Sequence, residues 1–343
     1  MKILITGSEG YIGSVLGPHL VAHGFEVSGI DAGYYSTSLL YRPSSNTPIT
    51  IRKDTRDLSV SDFEGYDAVV QMADLSNDPL GENDPEITYD INYHGTMNVA
   101  HLAKRAGVKR FVYMSSCSVY GIVEGDTPVD EHSPVNPQTT YAKCKRMVEE
   151  AMAQIADKDF SPVYLRNSTV FGPSPRVRLD LVLNIFCALA FTRGKISVVN
   201  EGTAWRPLIH VFDICRTIET VLTAPRESIH NEIFNVGSNN QNYQIKDLAE
   251  LLKQVFPDCQ IEHQNVVDDT RSYRVDFDKL AKTFPELSHM KGAIEGMREL
   301  RSLFEAVSLT GEQYDSNDYI RIRQLKHLIR SNEIDNHFRY ISL

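Results

Sequence analysis

At 343 residues the chain is long for one domain and comfortable for two, so a sizeable core can form without disulfide or metal staples. Its five cysteines, Cys117, Cys144, Cys187, Cys215 and Cys259, are odd in number, scattered and free of paired metal-ligand spacing, which points to a reducing, cytoplasmic setting and to no metal. A formal net charge of -10 argues against a nucleic-acid partner, and no apolar run approaches the roughly 20 residues needed to span a membrane.

The opening Met-Lys-Ile-Leu-Ile-Thr-Gly runs straight into a strand rather than into a signal peptide. To about residue 165, short apolar runs alternate with longer helical stretches. We read strands at 2–6, 25–30, 49–52, 68–72, 109–114 and 163–166 and helices near 11–23, 86–106 and 138–157, the pattern of an α/β fold whose parallel sheet is covered on both faces. After Gly172-Pro173 the alternation breaks into a helix near 179–193, short strands and further helices, which suits a smaller cap closing over a substrate. Near the end, Ile320, Ile322, Leu325, Leu328 and Ile329 fall at helical spacing. That apolar stripe requires a surface, and we expect it on the chain's own domain rather than on a partner.

Between the first strand and the first helix stands Thr6-Gly7-Ser8-Glu9-Gly10-Tyr11-Ile12-Gly13. Glycine at Gly7, Gly10 and Gly13 lets the backbone turn tightly and approach a pyrophosphate, and the helix N-terminus offers unpaired N–H groups. Asp31 closes the second strand eighteen residues after Gly13, where a carboxylate accepts from the adenosine ribose hydroxyls and repels a 2′-phosphate. Ala32 and Gly33 follow it with no arginine, so NAD is expected over NADP; Asp31 as a turn former is the plainer alternative.

Downstream, Ser115-Ser116-Cys117-Ser118 ends a strand, and Tyr141-Ala-Lys-Cys-Lys145 begins a helix. A free phenol titrates near 10, so a tyrosine base needs positive charge beside it, and a lysine one helical turn on shares its face. Ser116 can hydrogen-bond the same substrate oxygen. A Tyr/Lys pair on a helix is by itself commonplace; its order after the glycine loop and Ser116 makes it catalytic in our reading.

With these residues in place, the chain resembles the extended short-chain dehydrogenase/reductase family, in particular its NAD-dependent nucleotide-sugar epimerases and dehydratases, over about residues 1–305. The resemblance implies a Rossmann doubly wound parallel sheet over 1–170, a smaller C-terminal α/β substrate-binding cap mainly over 171–305 with some chain crossing back, and a helical C-terminal tail over 306–343. It makes Ser116, Tyr141 and Lys145 the catalytic triad. It assigns Gly7, Gly10, Tyr11, Ile12, Gly13, Asp31, Asp54, Thr55, Met72, Ala73, Asp74 and Asn92, with Tyr141 and Lys145, to the cofactor. Many members pair through two helices, here 86–106 and 138–157, which implies a homodimer; Met147, Val148, Ala151, Met152 and Ile155 face outward or serve the core.

For the nucleotide-sugar substrate, Arg206 in Trp205-Arg206-Pro207 and Arg271 in Asp269-Thr270-Arg271 match the family's pyrophosphate-binding arginines, and Asn184 matches a residue near the nucleotide. Arg176 and Arg178, in a segment similar to that of GDP-heptose 4-dehydrogenases, face the substrate on the same grounds. Two departures stand out. Thr169 occupies a place where the family often has asparagine, and Asn167, two residues earlier on the same side of a strand, partly replaces it. Cys117 and Ser118 replace the Asp-Glu pair of the 4,6-dehydratases; Cys117 borders the substrate, although packing is the stronger reading of its thiol. The function implied is NAD-dependent oxidation at C4 of a nucleotide-linked sugar, foremost as an epimerase. The alternatives are a 4-dehydrogenase, ketoreductase or dehydratase, and a non-catalytic NAD-binding regulator.

Overall fold

Alternating apolar strands and helices build one seven-stranded parallel sheet. It comprises β1 (Lys2–Thr6), β2 (Glu26–Asp31), β3 (Ile49–Arg52), β4 (Ala68–Gln71), β5 (Arg110–Ser116) and β6 (Ser161–Asn167), together with a seventh strand, Glu232–Val236, in the order β3-β2-β1-β4-β5-β6 and then the seventh. The computed structural model describes residues 1–42, 46–76, 84–123, 125, 127–264 and 271–341, so Asp269 and Thr270 lie outside the described residues. The sheet order reverses between β1 and β4, and the crevice beyond the carboxyl ends of such strands is where a doubly wound sheet leaves room for a ligand.

Period-two alternation sends Ile3 and Ile5 to one face and Leu4 to the other. On the first face they pack with Leu16 of α1 (Gly13–Ala22) and with Ile214 and Ile218 of the helix Val211–Thr223. On the second, Leu4, Val69 and Phe111 meet Val99 of α2 (Thr96–Arg105) and Val148 and Met152 of α3 (Thr140–Ala153). Thr139 caps α3 by accepting from Ala142 N at 3.2 Å, which fixes where Tyr141 begins its turn. The expected helix at 86–106 is interrupted: Pro85–Thr88 runs into a π-helical turn, Tyr89–Gly95, before α2.

The cap gathers the strands Thr169–Phe171, Trp205–His210 and Asn242–Gln244 into a small sheet and pairs Lys195–Val199 with Gln260–Gln264. Leu183, Phe186, Leu248, Met297 and Phe304 fill its core. The chain crosses back between these parts, because the helix Val211–Thr223 packs on the large sheet and the strand Glu232–Val236 joins it. The tail helix Arg321–Arg330 folds onto the large domain, where Leu325 and Leu328 join Tyr34, Ile87 and Ile91. Among the described residues no helix is long and apolar enough to cross a membrane.

Candidate active site

A cavity of about 1370 Å³ opens at the crevice and runs from the glycine loop to the cap. Gly7, Gly10, Tyr11, Ile12 and Gly13 form one end of it. Gly7 adopts φ +72°, and a Cβ on Gly13 would lie 2.3 Å from Gly7 O, so the loop closes on itself only with glycine at both places. Asp31 accepts from Glu9 N at 3.0 Å and from Gly33 N at 2.7 Å, which ties the strand end to the loop. Burial pushes its carboxyl up, and these two N–H groups pull it back. Each oxygen keeps acceptor capacity on the cavity wall, as a ribose diol requires.

The expectation that no arginine stands beside Asp31 is corrected. Arg52 pairs with Asp31 in the β2–β3 register, and its Nε lies 2.5 Å from where a Gly33 Cβ would be. Spacing along the chain hid it, because the neighbour comes from the next strand. Asp54 and Thr55 line the same end; Asp54 accepts from Arg56 N at 2.9 Å and from Arg56 Nη2 at 2.7 Å. The backbone cradle, the fixed carboxylate and the polar rim fit a dinucleotide.

Met72, Ala73 and Asp74 continue the wall toward Ser116 at the end of β5 and Tyr141 and Lys145 on the first turns of α3. Lys145 Nζ donates to Asp74 and to Met114 O, and lies 5.4 Å from the Tyr141 ring centre. Burial opposes the Lys145 charge, but Asp74 and Tyr141 hold it. Burial likewise pushes the Asp74 carboxyl up, and Lys145 pulls it back. Ser116 Oγ accepts from Ser118 N at 3.1 Å. Two atoms in this wall, Ser118 Oγ and Asn167 Oδ1, are buried with no hydrogen-bond partner among the described residues. Asn167 Nδ2 is already spent on Ser115 O at 3.1 Å and Leu165 O at 3.0 Å, so only its oxygen is left for a ligand.

On the cap side, Thr169, Arg178, Arg206 and Arg271 line the cavity. Arg206 donates to Arg271 O and, at 2.9 Å, to Trp205 O, so the two arginines are coupled through the backbone. Arg178 forks onto Asp180 at 2.8 and 3.2 Å and donates to Ser76 Oγ at 2.7 Å.

Four residues expected at the site do not line it. Cys117 turns into the core, where its thiol donates to Arg166 O at 3.1 Å and burial pushes its pKa up, so it lies off the cavity wall. Asn184 is fully buried, accepting from Gly172 N at 3.1 Å and donating to the Tyr11 hydroxyl at 3.2 Å. Arg176 bridges Tyr35 O and Glu9. Asn92, in the π-helical turn, clamps Leu75 by accepting from its N–H at 2.7 Å and donating to its carbonyl at 3.0 Å. Asn184, Arg176 and Asn92 instead hold the wall residues Tyr11, Tyr35 and Leu75 in place.

Residues absent from the sequence reading include Glu149 and Arg166, both buried. Glu149 accepts from Ser115 Oγ at 2.5 Å and from Arg166 Nε and Nη2 at 3.0 and 2.7 Å. Its position four residues after Lys145 was the available signal, since Tyr141, Lys145 and Glu149 then share one helix face. Tyr34, Tyr35 and Arg321 also line the cavity, with no sequence pattern to announce them.

Residues 3–237 match the model of the NAD dependent epimerase/dehydratase family. A UDP-glucose 4-epimerase of Streptomyces lividans is 30% identical over 277 residues, 74% of this chain and 80% of that protein. An N-acetyl-alpha-D-glucosaminyl-diphospho-ditrans,octacis-undecaprenol 4-epimerase of Escherichia coli O157:H7 is 26% identical over 76% of each chain. Among solved structures, an NAD dependent-NDP-hexosamine 5,6-dehydratase involved in tunicamycin biosynthesis superposes with a TM-score of 0.79 at 24% identity, covering 89% of this chain and 98% of that one. A protein solved in complex with UDP-glucuronic acid and NAD gives 0.78 at 23% identity, over 90% of this chain and all of the other. At these identities the structural likeness speaks to the fold.

Proposed function

The chain belongs to the NAD dependent epimerase/dehydratase family, and from that premise we propose that it oxidises C4 of a nucleotide-linked sugar and acts as a sugar-nucleotide 4-epimerase. One observation carries the reading: Ser116, Tyr141 and Lys145 share a single cavity with the glycine loop and with Arg206 and Arg271. The glycine loop and Asp31 would hold NAD, which would supply the hydride acceptance and return at C4 that an epimerisation needs. Tyr141 takes the C4 hydroxyl proton and later gives it back, Lys145 supplies the positive charge that a phenolate needs, and Ser116 donates to the same oxygen. Arg206 and Arg271 hold the substrate diphosphate with guanidinium forks. Asn167 Oδ1 and Ser118 Oγ receive sugar hydroxyls.

Elimination of water needs an acid and a base beside the triad. Cys117 is turned into the core and Ser118 offers only a hydroxyl, so the ketone goes forward to an epimer. We place the homodimer contact on α2 and α3, where Met147, Ala151 and Ile155 stay half-buried while Val148 and Met152 serve the core. Five free, buried cysteines suit a reducing cytoplasm.

Incubation with UDP-, dTDP- and GDP-linked hexoses, followed by mass spectrometry and absorbance near 340 nm, tests the assignment. A product of unchanged mass with no net rise in absorbance is expected. A ketone lighter by two hydrogens, with accumulating NADH, or a product lighter by one water would overturn it.

A further inference from the structure

The C-terminal tail lies beyond the stretch that matches the family model, yet it forms part of the cavity wall. Leu325, Leu328, Ile334 and Phe338 pack against Tyr34 and Ile91, which also border the cavity. Polar contacts close the seam. The Tyr34 hydroxyl donates to Phe338 O at 2.6 Å, Arg56 Nη1 donates to His337 O at 2.9 Å, and Arg339 pairs with Asp57. This packing brings Arg321, the first residue of the tail helix, to the cavity.

Arg321 is 3% exposed. Its Nη2 donates to Arg176 O at 3.2 Å and its guanidinium carbon stands 4.0 Å from the Tyr35 ring centre, whereas Nη1 is buried with no hydrogen-bond partner among the described residues. Among the described residues it has no ion pair, because Asp180 is forked onto Arg178 and Glu9 lies against Arg176. Only the Arg321 backbone N–H reaches Asp180, at 3.3 Å. Burial, reinforced by Arg178 and Arg176, draws its pKa down to about 10 against the pull of Tyr35 and Asp180. A buried guanidinium with an unsatisfied N–H, whose nearest carboxylate is already forked onto another arginine, is unfavourable unless an anion completes it.

We infer that Arg321 is a cofactor-binding residue whose open Nη1 donates to the pyrophosphate of the dinucleotide, so that the tail completes the NAD site. The position selects that anion over the substrate diphosphate. Tyr35 lies four residues beyond Asp31, and Arg176 links Tyr35 O to Glu9 of the glycine loop, which sets Arg321 on the loop side of the cavity. Arg206 and Arg271 stand on the cap strand and the segment beside it. The inference rests on the NAD reading above.

Calorimetric titration of the full chain tests it, comparing wild type, Arg321→Met and Arg321→Lys with NAD, ADP-ribose and adenosine. Loss of one charge-assisted hydrogen bond should weaken NAD and ADP-ribose by about 10- to 100-fold in Arg321→Met and leave adenosine unchanged. Arg321→Lys should recover part of the loss. NAD binding within about twofold of wild type in Arg321→Met, or an equal loss for adenosine, would overturn the inference and leave Arg321 a packing residue. Should Arg321→Met fail to fold, the ratio of adenosine to ADP-ribose dissociation constants in Arg321→Lys decides. A smaller ratio than wild type supports the contact, and an unchanged ratio removes it. Absence of NAD binding by the wild type would instead sink the cofactor reading itself.

Discussion

Replacing Glu149 by alanine should destabilise the fold by about 3–5 kcal/mol, because it strips the counter-charge from a guanidinium that water does not reach. Arg166 is 1% exposed and Glu149 2%. Two of the three Arg166 donors to neighbouring side chains end on Glu149, and the third reaches only the Tyr120 hydroxyl at 3.0 Å. The same substitution frees Ser115 Oγ, one residue before Ser116. With about 2.1 cal/mol/K of unfolding entropy per residue, a chain of this length should lose about 4–7 °C of its thermal midpoint. Glu149→Gln keeps an acceptor without the charge and should fall between. Replacing both partners, Glu149→Leu with Arg166→Met, removes the buried charges together and should lie closer to wild type than either single change predicts. Thermal denaturation followed by circular dichroism reads these proteins together with the single variants Glu149→Leu and Arg166→Met that the comparison needs. A Glu149→Ala midpoint within about 1 °C of wild type, or a double variant that falls by the sum of the singles, would refute the account.

Other tests address the chemistry directly. Tyr141→Phe should keep NAD binding and lose about two to four orders of magnitude in turnover, whereas Lys145→Met should impair turnover and NAD affinity together; steady-state rates beside a cofactor titration separate the two. Asp31→Ala should narrow the preference for NAD over NADP, and the Arg52 guanidinium against Gly33 should make the gain in NADP affinity larger than removal of the carboxylate alone provides; equal cofactor affinities in the wild type would defeat the assignment. Arg206→Ala and Arg271→Ala should each weaken sugar-nucleotide binding by about 1.5–3 kcal/mol with NAD affinity retained, and selective loss of NAD would mean the arginines serve the other ligand. Burial pushes the His210 imidazole down, against the pull of Glu299. The unfolded chain then binds more protons, so the stability is fully present above about pH 6.5 and is lost as pH falls through the lower folded value. His210→Asn, which keeps a capping side chain for the helix it begins, should show a shallower fall of the midpoint between about pH 7 and 5.

The large sheet was legible because each of its first six strands is a short apolar run of one period, and the glycine loop, Asp31, Ser116, Tyr141 and Lys145 sit at strand or helix ends where spacing along the chain becomes proximity in space. Those parts are local. What escaped reading is what the fold assembles from distant segments. The strand Glu232–Val236 looks like any cap strand until it pairs with β6, 69 positions away at Glu232 and Val163. Arg52 is invisible beside Asp31 until β3 is laid next to β2. Asn92, Arg176 and Asn184 have the residue types of ligand contacts, yet their hydrogen bonds end on the protein's own backbone and side chains, a distinction that composition and spacing do not carry.

Arg321 shows the same limit from the other side. In the sequence it is one polar residue within an amphipathic stripe, and the stripe says only that Leu325 and Leu328 will be covered. The surface that covers them includes Tyr34 and Ile91, which border the cavity beside the glycine loop, so burying the stripe carries the helix start to that loop. A tail that merely needed a hydrophobic seat could end its helix on any residue. Seating an arginine there, with its nearest carboxylate already held by Arg178, leaves room for a further negative charge that the cofactor brings, and the tail's docking and the cofactor's affinity are then linked: each should stabilise the other by the same factor. One NAD concentration, well above both dissociation constants, should therefore raise the thermal midpoint of wild type more than that of Arg321→Met, and identical shifts would break that link.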